Sequence, residues 1–253
     1  MRTSAQQELA YRANFWISLL HALLNQGVGV LGMQVLFGQV QSVRGWDYPS
    51  ALALLGVYLV ISALRGLFIG PGLEALAGMG QEISSGQFDF ALLRPVNTQF
   101  LVTFRYWHLF ALIDLALGLG VVGAAVMALP PTGTALHGLG FLLALGVALA
   151  VLYSVLLALT ALVFWSPGFL FTWVFDAIFQ LARYPVGFYP SGLRFVLTWI
   201  LPVGVMTTLP AQALRGQVSP AALAGSLGLA AALLVGSSWL FRRGLRRYAS
   251  ASS

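Results

Sequence analysis

The sequence predicts an all-α, polytopic integral membrane protein, and three observations support this fold class. First, 59% of the 253 residues are hydrophobic and only 8% are charged, whereas a soluble domain carries about 25% charged residues. Second, the mean hydropathy is +0.87. Third, apolar runs recur at lengths near the roughly 20 residues that cross a bilayer as a helix. We therefore expect about six transmembrane helices in a single domain over residues 1–253.

The first two spans are predicted at residues 13–37 and 50–79. The first is interrupted by the polar residues His21, Asn25 and Gln26, so one of its faces is expected to pack on protein or to line a path. The second contains Arg65, and we expect Pro71 to kink it because proline cannot donate a helical hydrogen bond.

The other four spans are predicted at residues 100–127, 138–165, 169–182 and 220–241. The third carries Asp114 and the fifth carries Asp176. The fifth run is short for a full crossing, which leaves its outer end undefined.

Proline-bounded apolar pieces follow the fifth span, and each is too short to cross the bilayer. Such pieces predict a re-entrant helical pair, which is tolerated where protein buries the broken backbone. The residues that mark this segment are Tyr184, Pro185, Tyr189, Pro190, Arg194, Pro202 and Pro210.

The arginines predict the orientation. All thirteen basic residues are arginine, and with both termini cytoplasmic eight of them fall on the inner side and four on the outer side. Positive charge accumulates in cytoplasmic loops. We therefore expect a multi-pass protein of the cell (plasma or inner) membrane with cytoplasmic N and C termini.

The loop over residues 80–97 is the main candidate for a functional segment. Its alternation of polar and apolar residues predicts a short amphipathic helix, broken at Gly86, on the cytoplasmic face. Two interpretations fit the residues equally: a knob for a groove on a soluble partner, or a loop anchored in lipid headgroups. The candidate coupling residues are Gln81, Glu82, Ile83, Ser84, Ser85, Gly86, Gln87, Phe88, Asp89, Leu92, Leu93, Arg94 and Pro95.

Three ionisable residues lie inside predicted spans, where each is costly unless it is paired or hydrated. Arg65 and Asp114 are candidates for a pair between the second and third spans, and Asp176 for a pair with Arg183 or a contact with a partner subunit. Structural pairing, proton relay and substrate contact all remain open for these residues.

Several functions are excluded by residue content. With no lysine in the chain, no P-loop is possible, so any ATP must be hydrolysed by another protein. The absence of H-E-x-x-H and G-x-S-x-G motifs argues against an intramembrane enzyme, so no catalytic residues are predicted. Scattered histidines and the lack of cysteine predict no metal site, and no arginine cluster with interleaved aromatics indicates nucleic-acid binding.

Residues 83–95, which contain Ile83, Gly86, Asp89 and Pro95, and residues 184–211, which contain two Tyr-Pro pairs, resemble permeases of the ABC type-2 (ABC-2-like) transporter superfamily, in the branch of uncharacterised transport-system permease components. Residues 83–95, ISSGQFDFALLRP, resemble its I-x-x-G-x-[FLI]-D-x-x-L-L-x-P stretch. Residues 184–211 resemble its pattern Y-P…Y-P…L-R…P…Y-P-A, with Leu209 standing where the superfamily often has tyrosine.

This resemblance implies a six-span permease subunit of an ATP-driven ABC transporter. It would pair with a second permease, identical or different, and with two ABC ATPase subunits that bind ATP and Mg²⁺, so that this chain itself binds no cofactor. Residues 80–89 would be the coupling helix, with 92–95 leading back into the third span, and residues 183–215 the outer gate. Export of an amphipathic or hydrophobic substrate is the implied activity. The alternative is a secondary transporter subunit driven by an ion gradient.

Overall fold

The structure is a computed structural model that describes residues 12–77, 82–83, 86–130, 135–166 and 171–248. Over these residues it is helical with no β-strand, which confirms the all-α prediction. The α-helices are α1 (Arg12–Gln39), α2 (Tyr48–Leu64), α3 (Gly70–Ala77), α4 (Gln87–Leu92), α5 (Thr98–Phe104), α6 (Ala111–Ala128), α7 (Ala135–Ala161), α8 (Phe171–Phe179), α9 (Ser191–Phe195), α10 (Leu209–Leu214) and α11 (Pro220–Arg247).

Shorter helical turns extend several of these helices. π-helical turns cover Arg65–Ile69, Val196–Ile200 and Gly204–Thr208. 3₁₀ turns cover Leu162–Phe164, Gln180–Arg183 and Val186–Phe188. Among the described residues, five helices are long and apolar enough to cross a membrane, or six if a bent pair near the last helix counts as one span. The predicted polytopic helical bundle is therefore confirmed.

The second span, α2–α3, is the central helix of the bundle. Of its most apolar stretch 72% is buried, against 11–17% for α1, α6 and α11, which present apolar side chains outward. Its most extensive contact is with α6. At that crossing a Cβ atom on Gly56 would lie 2.8–2.9 Å from atoms of Val122, so glycine lets the two backbones approach closely.

Pro71 distorts the central helix in a specific way. A proline at this position cannot donate to the carbonyl of Leu67, four residues earlier. The turn Arg65–Ile69 just before it is π-helical, and the Leu67 carbonyl accepts the backbone N–H of His108 at 3.0 Å. A non-helical part of the third span is thus joined to the distorted part of the second.

The third predicted span, residues 100–127, is not one continuous helix. It is divided into α5 and α6 by a non-helical connection at Arg105–Phe110. The backbone of α5 lies directly against Gly72 of α3, where a Cβ atom would overlap the Val102 carbonyl oxygen. The connection follows directly after the helix that crosses the central helix so closely, and an apolar run in sequence does not show this crossing.

Two short helices follow α8 in the segment where the re-entrant pair is predicted. Ser191–Ile200 and Gly204–Leu214 meet at an angle of 77°, with Pro202 in the break between them. The fifth predicted span is the nine-residue α8 with its 3₁₀ extension, which is too short to be counted among the five spanning helices. These two elements place irregular backbone against the bundle before α11 begins.

Candidate functional site

The loop between the second and third spans folds into α4, which begins at Gly86. Gly86 has a φ of +72°, a left-handed conformation that glycine adopts without a steric penalty, and it marks the start of Gln87–Leu92. The predicted break at Gly86 is therefore a helix boundary. Because α4 has less than two turns, it depends on contacts with the rest of the protein for its stability.

One face of α4 is buried against the ends of the fourth and last spans. Phe88 is 0% exposed, and its ring centroid lies 6.0 Å from that of Phe164 and 5.2 Å from that of Tyr248. The Tyr248 hydroxyl donates a hydrogen bond to the Asp89 carboxylate at 3.0 Å. Both an aromatic cluster and a polar contact therefore fasten α4 to the end of α11.

A buried ion pair fastens the start of the same segment to the third span. Glu82 is 4% exposed, forms an ion pair with Arg105, and accepts a hydrogen bond from the Tyr106 hydroxyl at 3.1 Å. The Arg105 guanidinium also lies 4.8 Å from the centre of the Tyr106 ring. The Glu82 carbonyl accepts the Phe88 N–H, which connects this ion pair to α4.

The opposite face of α4 is exposed and apolar. Phe90 is 72% and Leu93 is 80% exposed, and Leu92, Arg94 and Val96 are exposed beside them. We call these five residues the α4 outer surface. Large apolar side chains exposed together in a loop are typical of an interaction surface.

The structure separates the predicted coupling residues into four groups. Gln87, Leu92, Leu93, Arg94 and Pro95 are exposed, and Ile83, Gly86 and Asp89 are half-buried. Glu82 and Phe88 are buried and are in no position to contact a partner directly. Gln81, Ser84 and Ser85 lie outside the described residues. Phe90 is absent from the predicted site, although its spacing of three residues from Leu93 places both on one helical face.

The predicted pairing of the intramembrane charges is wrong. Arg65 does not pair with Asp114: it contacts the Glu74 carboxylate at 3.0 Å and the Asp176 carboxylate at 2.6 Å, and its guanidinium lies 5.7 Å from the Phe175 ring centre. The two carboxylate side chains keep 47% and 36% of their surface exposed. Arg65, Glu74 and Asp176, which we call the charged triad, thus hold one positive and two negative groups.

The remaining partners of these charges also differ from prediction. Asp114 accepts a hydrogen bond from the Gln26 amide at 3.1 Å, so it joins the third span to α1. Arg183 does not pair with Asp176 but donates to the Asn25 side chain at 3.1 Å, and lies 5.3 Å from the Tyr58 ring centre. The polar residues of α1 are therefore hydrogen-bond partners for charges on other helices.

The predicted gate segment is held by arginines that satisfy backbone carbonyls. Arg194 donates to the carbonyls of Gly187 at 3.4 Å and Tyr189 at 3.3 Å, and Arg44, from the loop before α2, also donates to Gly187. Arg215 donates to the Gly45 carbonyl at 3.4 Å. The loop between α1 and α2 is thus part of this site, which the sequence pattern did not indicate.

The predicted tyrosine and prolines of this segment lie at element boundaries. Tyr189 donates to the Leu181 carbonyl at 2.8 Å, and burial, followed by the proximity of Tyr184, raises the pKa of Tyr189 to about 12. Its hydroxyl therefore stays protonated as a donor. The other marker residues are Tyr184 and Pro185 before the turn Val186–Phe188, Pro190 before α9, Pro202 at the bend and Pro210 in the first turn of α10.

Among the described residues, no group of three His, Cys, Asp or Glu side chains is arranged to hold a metal ion. A helical bundle with five or six apolar helices of spanning length over the described residues, a short helix α4 after the central helix and a proline-broken pair before α11 is the architecture of a polytopic membrane protein. Residues 23–252 match the family described as ABC-2 family transporter protein, and the chain belongs to that family. A comparison with curated proteins gave no match.

Proposed function

We propose that this chain is the permease subunit of an ATP-driven transporter and that it works with a second permease subunit and two separate ATPase subunits. Membership in the ABC-2 family supports the transport role. The absence of lysine supports the dependence on a partner, because a P-loop needs a lysine that reaches the phosphates. ATP and Mg²⁺ would therefore be bound by the ATPase.

The observation that carries the coupling proposal is the α4 outer surface. Phe90 and Leu93 lie one turn apart on a helix whose other face is buried. Removing such a side chain from water contributes about 1.5–3 kcal/mol, and an apolar helix face of this kind fits a groove on a soluble partner. The partner in this proposal is the ATPase, with Arg94 at the edge of the contact.

The buried side of α4 supports a route for the movement. Phe88 and Asp89 contact Tyr248 at the end of α11, and Glu82 pairs with Arg105 beside α5. A force on the α4 outer surface would therefore reach two spans through packed and hydrogen-bonded side chains, the kind of contiguous contact that carries coupling.

The proposed orientation has α4 and both termini in the cytoplasm, in the plasma or inner membrane. The arginine-rich end of α11 lies at the same end of the bundle as α4, which agrees with the positive-inside rule. The bent pair would then lie at the outer face as the gate. Export of an amphipathic or hydrophobic substrate fits the apolar composition of the chain.

The experiment is to co-purify the chain with the ATPase encoded nearest its gene and to measure their affinity and ATP-dependent transport in proteoliposomes. Phe90→Glu and Leu93→Glu should each weaken ATPase binding by at least roughly 30-fold, because truncating a central interface residue typically costs about 2 kcal/mol or more. Val40→Glu is the matched control, because it also introduces a glutamate at an exposed apolar residue. Val40 lies in the loop before the central helix, whereas α4 follows that helix. Unchanged binding in both α4 variants would contradict the proposal and favour anchoring in headgroups.

A second candidate function is secondary transport driven by an ion gradient. The charged triad favours it, because two partly exposed carboxylates share one arginine within apolar helices. Substrate movement in proteoliposomes that continues without ATP and stops when the proton gradient is dissipated would support this alternative.

A further inference from the structure

A groove of about 640 Å³ opens on the side of the bundle beside α5. None of the five residues of the α4 outer surface lines it, and no role proposed above uses it. Phe100, at its rim, is exposed. Its apolar lining consists of Phe68, Ile69, Phe100, Phe104, Leu149 and Ala150. A groove of this size with an aromatic wall has room for a hydrocarbon chain.

The groove is polar at the end where α5 begins. The Gln99 amide donates to the Tyr153 hydroxyl and to the Ser238 hydroxyl, each at 3.0 Å, and the Thr103 hydroxyl lies 3.2 Å from that of Tyr153. These contacts join α5, α7 and α11. Gln99 lies in the first turn of α5, next to the loop that precedes it, whereas Phe104 is the last residue of α5 and Phe68 lies in the π-helical turn of the central helix.

A cation extends this polar end toward the membrane surface. Arg242, one turn beyond Ser238 on α11, donates its Nε–H to the Ser238 carbonyl at 3.2 Å. Its side chain is exposed, and its guanidinium carries further N–H donors suited to phosphate. The acidic residues Glu82 and Asp89, in the segment before α5, are already engaged, Glu82 with Arg105 and Asp89 with Tyr248.

We propose that this groove binds an anionic phospholipid from the bilayer leaflet at the arginine-rich end of the bundle. An acyl chain lies along the Phe68–Phe104 wall, and the phosphate lies at Arg242, beyond the Gln99 end. Along the groove, the apolar wall, the neutral polar residues and Arg242 follow one another in this order. The acyl chain, the glycerol esters and the phosphate of such a lipid follow one another in the same order. This proposal requires no ATPase and does not depend on which side of the membrane is cytoplasmic.

The test uses the purified full-length chain in detergent micelles, titrated with phosphatidylglycerol or with phosphatidylcholine of the same acyl chains and followed by native mass spectrometry. We expect wild type to bind phosphatidylglycerol more tightly. Arg242→Gln should weaken phosphatidylglycerol binding roughly fivefold, the effect of about one arginine near an anionic surface. It should weaken phosphatidylcholine binding less, because the choline cation offsets the charge of the phosphate in that lipid.

Ala150→Phe, which fills the groove, should weaken binding of both lipids at least roughly tenfold. Leu149→Phe is a second filling variant in case the first does not elute as a single species. Two controls match these changes. Leu142→Phe adds bulk to an exposed face of the same helix, and Arg243→Gln removes an equal charge from a guanidinium that lies over Trp239 at 5.3 Å.

Three results would overturn the proposal. Equal losses in Arg242→Gln and Arg243→Gln would indicate diffuse surface electrostatics without a defined site. Wild-type affinity in a folded filling variant would show that the lipid lies elsewhere. Equal affinity of wild type for both lipids would remove the role of the anionic headgroup.

Discussion

The ion pair between Glu82 and Arg105 gives the sharpest prediction about how the α4 segment is held. The side chain of Glu82 keeps 5% of its surface exposed and that of Arg105 keeps 15%, so each charge depends on the other for its compensation. Glu82→Gln preserves the shape and leaves Arg105 without its counter-ion. Removing one member of a buried ion pair typically lowers the free energy of unfolding by about 3–5 kcal/mol. For Glu82→Gln we expect a loss of at least about 3 kcal/mol, near the lower limit of that range. The reason is that the amide oxygen of the new glutamine can still accept the hydrogen bond from Tyr106.

The double variant Glu82→Gln/Arg105→Gln separates this effect from a general loss of packing. Two neutral amides leave no uncompensated charge, so the double variant should be more stable than the sum of the single changes by about 2–3 kcal/mol. Arg94→Gln, an exposed arginine of the same segment, is the control and should change stability by less than about 0.5 kcal/mol.

The assay is equilibrium unfolding of the purified chain in mixed micelles, with SDS as the denaturant and far-ultraviolet circular dichroism as the signal. The same variants are then tested for ATPase binding. A cost below about 1 kcal/mol for Glu82→Gln, or additive single effects, would refute the reasoning, because both results describe charges that water already compensates.

Three further predictions concern the bundle. Gly72→Ala should lower the unfolding free energy by more than about 2 kcal/mol, since its Cβ atom would overlap the Val102 carbonyl, whereas Gly120→Ala, with open space around it, should not destabilise the same unfolding transition. Tyr189→Phe should lower the free energy of unfolding by about 1 kcal/mol below pH 10. Because the pKa of Tyr189 in the folded protein is raised from 10.0 to about 12, its stabilisation is complete below pH 10 and is lost as the pH rises towards 12. A series of unfolding measurements at different pH values should show this loss in wild type and not in the variant. Arg65→Gln should destabilise more than Asp176→Asn in the same assay, because it leaves two carboxylates uncompensated; equal effects would contradict the triad.

The fold class and most element positions could be predicted from the sequence, because lipid selects apolar runs of a defined length whatever their neighbours. The bent pair after α8 was predicted for a similar reason, since its proline-bounded pieces are too short to cross. The division of the third span was not predicted. Residues 100–127 are apolar over enough of their length to form one span, and the break lies just after the part of α5 that contacts Gly72 of another helix, a tertiary contact that the sequence pattern does not show.

The candidate site was predicted as a segment, and its individual contacts were not. Alternating polar and apolar residues located α4, yet the pattern did not show that Phe88 lies inward and Phe90 outward. The pairing of Arg65 with Glu74 was missed because positions nine residues apart lie on opposite sides of an ideal α-helix. Its pairing with Asp176 was missed because Asp176 lies on another helix. The π-helical turn Arg65–Ile69 changes that angular relation and allows Arg65 to reach Glu74.

Composition and the lengths of apolar runs by themselves determined that this chain is a helical membrane protein with an amphipathic loop after its second span. Only the tertiary structure decided which charges compensate one another and which face of α4 is left exposed. The physical reason is that burial in lipid depends on each segment alone, whereas pairing and exposure depend on how helices from distant parts of the chain are rotated against one another.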